Sequence, residues 1–166
     1  GKGKTVETIT NDTFSWSIWF NRAAGTGDKD RYLVKKDNEF GISLLSSSAV
    51  KFLLHFYDPD ISLAILSDEI DILGGQWSHL VVVFNKGSVD LYLDGIQRIT
   101  SFSTGSTNLA ASNSSLLFGN PGNDEDADYF HGLMDSVSYW KRVLTLQEIS
   151  NLYNSGVGID YSFEFS

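Results

Sequence analysis

What most limits the fold of this chain is a rhythm of short strand-like runs, broken by turn residues and closed by one capped helix. Runs rich in β-branched and aromatic residues fall at 5–10, 14–21, 31–36, 39–45, 50–57, 78–85, 88–93, 96–101, 115–118, 130–140 and 159–165. Between them stand Gly25-Thr-Gly-Asp28, Asp58-Pro-Asp60, Asn85-Lys-Gly87, Asp94-Gly95 and Asn120-Pro-Gly-Asn123. These residues supply positive φ or pre-set a turn. Short strands at this spacing predict a β-sandwich, and the turns at 85–87 and 94–95 predict a three-stranded antiparallel meander. The Ser/Thr/Asn-rich stretch 101–115 reads as a long surface connection within one domain.

The helix signal comes late. Leu133, Val137 and Tyr139 alternate with Met134, Ser136 and Ser138, the period expected of a half-buried strand. Thr145 then offers an N-cap, Glu148 completes a capping box, and Leu146, Ile149, Leu152 and Tyr153 share a helical face. Asn154-Ser-Gly156 is a helix stop.

At 166 residues the chain suits one domain, 1–166, with a core of its own. A formal net charge of −9 argues against nucleic acid and anionic membranes, whose binding draws on clustered Lys and Arg; the longest basic run is Lys35-Lys36. Without cysteine there is no disulfide framework, and no apolar run approaches a membrane span. The start Gly1-Lys-Gly-Lys4 is not followed by an apolar signal segment, so the chain reads as a domain of a larger multidomain or assembled protein.

Four segments carry a resemblance. Phe14-Ser-Trp-Ser-Ile-Trp-Phe20, Gly75-Gln-Trp-Ser-His-Leu-Val-Val-Val-Phe84, Val89-Asp-Leu-Tyr-Leu-Asp-Gly95 and the Gly132-Leu-Met-Asp-Ser-Val137 strand leading into the capped helix appear in that order. Together they resemble laminin-G-like (pentraxin-type) domains of the concanavalin A-like lectin/glucanase superfamily. The resemblance implies an all-β jelly-roll sandwich of two antiparallel sheets with one short C-terminal helix. It also implies a non-catalytic module that recognises a glycan or a surface protein, acting outside the cell or on a cell or virion surface. The alternatives are a structural, oligomer-forming or virion-decoration domain, and a divergent glycoside hydrolase.

For the hydrolase, Glu69-Ile-Asp-Ile-Leu-Gly74 approaches the E-x-D-x-x-E pattern of sandwich glucanases, which needs paired carboxylates. Glycine stands where the last glutamate belongs, so no catalytic residue is assigned. His79 falls in the family's W-x-H pattern and reads as a structural imidazole, and His55 and His131 are not spaced as paired ligands. In Asn123-Asp-Glu-Asp-Ala-Asp128, Asp124, Asp126 and Asp128 alternate along a loop, as calcium oxygen ligands do, and equally as a solvated acidic loop would. The resemblance further implies a structural calcium held by Asp135 with Asn11 and Asp12; an aspartate bonded to backbone donors is the other reading.

For ligand contact the first choice is the 120–128 loop, with Asn120 and Asn123 offering polar groups and Tyr129 a stacking face. Among other aromatics, Trp16 and Trp77 are expected in the core and Trp19 in packing, while Tyr32, Tyr57, Tyr92 and Trp140 are the remaining surface candidates, burial being the favoured reading for each.

Overall fold

The computed structural model describes residues 12–24, 30–46, 50–57, 62–66, 72–103, 112–122, 125 and 127–158. The strands are β1 (Thr13–Arg22), β2 (Asp30–Lys36), β3 (Phe40–Ser46), β4 (Val50–Tyr57), β5 (Ser62–Leu66), β6 (Trp77–Asn85), β7 (Ser88–Leu93), β8 (Ile96–Ser103), β9 (Leu116–Phe118), β10 (Ala127–Asp128) and β11 (Gly132–Trp140); helix α1 is Leu146–Tyr153. The runs expected at 5–10 and 159–165 lie outside the described residues, and β5 is a strand that sequence periodicity did not pick out.

Two sheets form. One has the order β11-β1-β6-β7-β8, antiparallel throughout. The other runs β10-β2-β3-β4-β5, with β9 also on β2. β9 and the two-residue β10 share the edge of β2 that β3 leaves open, β10 being the one parallel pairing among the described strands. The meander β6-β7-β8 turns where expected: Lys86 and Gly87 (φ 47° and 84°), then Asp94 and Gly95 (φ 52° and 75°), have the paired positive φ that matches strand twist.

The core lies between the sheets. Phe14, Trp16, Ile18 and Phe20 of β1 face inward with Leu80, Val82 and Phe84 of β6, against Val34, Phe40, Ile42 and Leu44 of the second sheet. Phe14 stacks on Phe84 at 5.1 Å. Yet Ser15, Ser17 and Trp19, which alternation sends outward, are buried as well. The cause is α1, which lies on the outer face of the five-stranded sheet and packs Ile149, with Leu144, on Val81, Val83 and Tyr92. Small side chains at Ser15 and Ser17 leave room for it, and Ser15 Oγ donates to Arg142 O (2.9 Å) and accepts from Leu144 N (3.1 Å). The helix itself starts as its sequence says: Thr145 and Glu148 close the capping box, and the Arg142 guanidinium grips Glu148 at 2.8 and 2.6 Å.

Two expectations about exposure are corrected, at Trp77 and Leu133. Trp77, expected in the core, is 44% exposed, because it begins β6 on the outer face beyond the reach of α1. Tyr32 and Tyr92 are buried, the second under the helix, in line with the burial reading of these aromatics. Leu133, expected to share a face with Val137, is 61% exposed, while Met134 packs on the core. A bulge in β11 accounts for the switch, because an extra residue reverses which side chains point inward.

Candidate functional site

The outer face of the five-stranded sheet can be read in rows across β11, β1 and β6. Leu133, Asn21 and Trp77 stand opposite one another, and the next row is Asp135, Trp19 and His79. Trp19 stacks on the His79 ring (4.8 Å, 26°) and on Tyr153 from the end of α1 (6.1 Å, 16°). After Tyr153 the chain folds back tightly. Asn154 takes a left-handed conformation, Asn154 Nδ2 donates to Gly158 O at 2.8 Å, and Gly158 lies against the Trp19 indole with φ 73°. The result is a cleft of about 360 Å³ between sheet and chain, lined by Trp19, Trp77, Asp135, Ser136 and residues 156–158.

The bulge shapes its polar side. Ser17 pairs with Ser138 and Trp19 with Asp135, so Ile18 faces both Ser136 and Val137, and Ser136 adopts φ 47°. Asp135 thereby stays on the outer face while Val137 returns to the core. Asp135 Oδ1 accepts from Ser136 N at 2.7 Å, which fixes the carboxylate at the cleft. Bulges commonly re-aim a side chain beside a site, and left-handed backbone at a non-glycine residue is held only by its surroundings.

Beneath the cleft, His79 is 1% exposed; its Nε2 meets Ser17 Oγ at 2.7 Å, and its backbone exchanges bonds with Asp94 (2.8 Å each way). Burial lowers its pKa from 6.5 to about 4, so the ring is neutral at pH 7 and structural, as its sequence context suggests. The unfolded chain therefore takes up this proton first as pH falls. Stability contributed by the neutral ring is complete above pH 6.5 and is lost between 6.5 and about 4, to a total of about 3 kcal/mol. Urea unfolding at steps from pH 7.5 to 4 should show that loss, and His79→Gln should flatten the slope between pH 6.5 and 5. An unchanged slope in the variant would assign it elsewhere.

Of the residues expected to bind metal, only Asp12 and Asp135 have described side chains, and these two stand apart. Asp12 is exposed at the head of β1, its carbonyl accepting from Lys86 N at 2.6 Å, whereas Asp135 pairs with Trp19 seven positions along that strand. At about 3.3 Å per residue the two stand roughly 23 Å apart, so they do not form one cation site. Among the described residues no three acidic or histidine side chains converge on one point. Asn11, Asn123, Asp124 and Asp126 lie outside the described residues, as do the side chain of Asp128 and the whole of Glu69 and Asp71. Asn120 spends its Oδ1 on Gly122 N (2.8 Å), closing a turn that Lys35 Nζ secures through Pro121 O (2.7 Å). Tyr129 beside that loop is 60% exposed.

Sequence reasoning thus named Asp135 but missed Trp77, Ser136 and the 156–158 wall. Trp77 shares its parity with His79 and stands beyond the span of the helix, a signal that places it on the outer face. The bulge has no comparable signature.

Matches to known proteins agree with this fold. A laminin-G family model, described as "Concanavalin A-like lectin/glucanases superfamily", matches residues 4–150. The chain belongs to this superfamily. No curated protein matches the sequence. Among solved structures, this concanavalin A-like domain is similar to a native heptameric SAP-like pentraxin from Limulus polyphemus, at TM-score 0.68 and 18% identity over 93% of this chain and 76% of the other. It is similar to a putative carbohydrate binding protein from Bacteroides ovatus, at TM-score 0.72 and 15% identity, over 96% of this chain but 44% of that one. It is also similar to domain 4 of AbnA, a GH43 extracellular arabinanase from Geobacillus stearothermophilus, in complex with arabinotriose, at TM-score 0.55 and 21% identity over 87% and 66%. At these identities the likeness is one of fold.

Proposed function

We propose that this concanavalin A-like domain is a non-catalytic recognition module for a glycan or another ligand on a cell or particle surface, working outside the cell within a larger protein. The observation that carries the reading is the cleft, where a half-exposed tryptophan and a fixed carboxylate line one concave space. An aromatic face with a few placed polar groups is how proteins hold sugars. Two structural neighbours, a putative carbohydrate binding protein and an arabinanase domain in complex with arabinotriose, support it. Calcium belongs to the proposal through the 120–128 loop, where Asn123, Asp124, Asp126 and Asp128 supply hard oxygen donors; the Asp135–Asp12 pairing does not fit one ion.

The test is a glycan panel read with calcium and with chelator, alongside thermal unfolding. At least one glycan should bind. Calcium should raise the midpoint, because an ion bound only by the native state stabilises it, and Asp124→Ala/Asp126→Ala should abolish that rise. No glycan bound in either condition would overturn the recognition reading, and no calcium-dependent shift would remove the metal from it. A second reading, a contact between copies of the chain, draws on the exposure of Leu133 (61%) and Val157 (84%) beside Trp77. A monomeric mass in sedimentation at every concentration would dismiss it.

A further inference from the structure

Resting on the recognition reading, we infer that the cleft between α1 and the outer face of the five-stranded sheet is the sugar site, that it takes a single uncharged pyranose ring stacked on Trp77, and that it turns acidic sugars away. Four observations lead there. First, the described lining has one ring free to stack. Trp19 is 8% exposed and already covered by His79 and Tyr153, whereas Trp77 is 44% exposed. A lone indole offers its face to the C–H side of one ring; an extended chain would need further platforms.

Second, the span fits one ring. Trp77 and Asp135 lie on strands two apart and are offset by two residues, Asp135 pairing with Trp19 and Trp77 with Asn21. With strands about 4.8 Å apart and about 3.3 Å per residue, their Cα atoms are about 12 Å from each other, a width that two inward-leaning side chains reduce to one pyranose. The volume of about 360 Å³ is at the small end of ligand clefts, about 300–1,000 Å³.

Third, the polar groups suit hydroxyls. Asp135 has one oxygen engaged by Ser136 N, and its other oxygen has no partner among the described residues. A fixed carboxylate accepts from sugar hydroxyls with short, charge-assisted bonds. The Ser136 side chain is exposed in the same lining and can donate or accept. The bulge that carries both is already formed, so little ordering is left for binding to do.

Fourth, the charge has one sign. Among the described residues, the lining includes Asp135 and no Lys, Arg or His, within a chain of net charge −9. A carboxylate or sulfate on the sugar would face Asp135 with no cation among the described lining to offset it.

The experiment is an NMR titration of the full 166-residue chain with the methyl pyranosides of glucose, galactose and mannose, and with methyl sialoside and methyl glucuronide. At least one neutral sugar should shift the Trp77 indole resonance. Trp77→Ala and Asp135→Asn should each weaken its binding about tenfold or more at unchanged thermal midpoint, with Leu146→Ser on the exposed side of α1 as the unaffected control. Neutral sugars bound equally by both cleft variants and lost in Tyr129→Ala would overturn the cleft while leaving glycan recognition standing. Acidic sugars bound in preference, with loss in Trp77→Ala, would overturn the charge selection. Self-association that Trp77→Ala abolishes would make the cleft a contact between copies. Failure of every sugar here and in the wider panel would sink the recognition reading and this inference together.

Discussion

Lys36→Met should lower stability by about 3–5 kcal/mol, the expected cost of leaving one member of a buried ion pair without its partner. Lys36 and Glu39 are both fully buried; Lys36 Nζ bonds Glu39 Oε2 and donates to Ser112 O at 2.9 Å. The same Glu39 oxygen accepts from Ser112 N (3.2 Å) and Ser112 Oγ (3.4 Å), so the pair ties the approach to β9 to the turn between β2 and β3. Burial, and then the nearby Glu39 charge, push the Tyr139 hydroxyl up to about 12, so that charge is felt in the inter-sheet core. Methionine keeps the volume and removes the cation, leaving a fully buried carboxylate without its partner. In a domain of this size the loss corresponds to a midpoint lower by roughly 6–20 °C. The double variant Lys36→Met/Glu39→Leu should recover most of it, because apolar replacement of both partners is often near neutral. A single variant as stable as the parent would show that the pair contributes no net stability.

How much of this was legible in the residues can be judged strand by strand. The meander 77–103 was, because β-branched alternation and two Gly-containing turns state local geometry directly. So was the helix, whose cap residues act within a few positions. The continuous burial of β1 was not: alternation assigns Trp19 to an outer face, and nothing local says that a helix 127 or more residues away will cover it. Trp77 shows the reverse, an aromatic in a family motif that the same helix fails to reach. The β11 bulge escaped because it is a disagreement in register between two strands, visible once Ser17 and Trp19 are set against Ser138 and Asp135. Asp135 was singled out for calcium by resemblance. The strand pairing carries it away from Asp12 and onto a cleft wall.

Gly132→Ala should be the most costly single-methyl change in the described part of the chain, at about 2–4 kcal/mol. Gly132 pairs with Arg22 where β11 begins, and a Cβ there would overlap the Asn21 carbonyl oxygen and lie 2.9 Å from the Phe130 ring. Neither neighbour yields easily: one is backbone inside a ladder, and Phe130 packs against Phe20 in an edge contact at 6.3 Å. The strands must separate, which also strains the Ala23 N to His131 O bond of 2.8 Å. Gly75→Ala is the informative contrast, since it too has positive φ (81°) but nothing within 4 Å of the added carbon, so it should cost only the backbone term of about 1 kcal/mol. Chemical denaturation of both variants separates close approach from conformation, and equal losses would refute the close crossing. Gly132 stands three residues before Asp135 on the strand that carries the bulge. Moving that strand off β1 should therefore weaken the proposed sugar binding at temperatures where the variant remains folded, because Gly132 holds two backbones in contact beside the cleft.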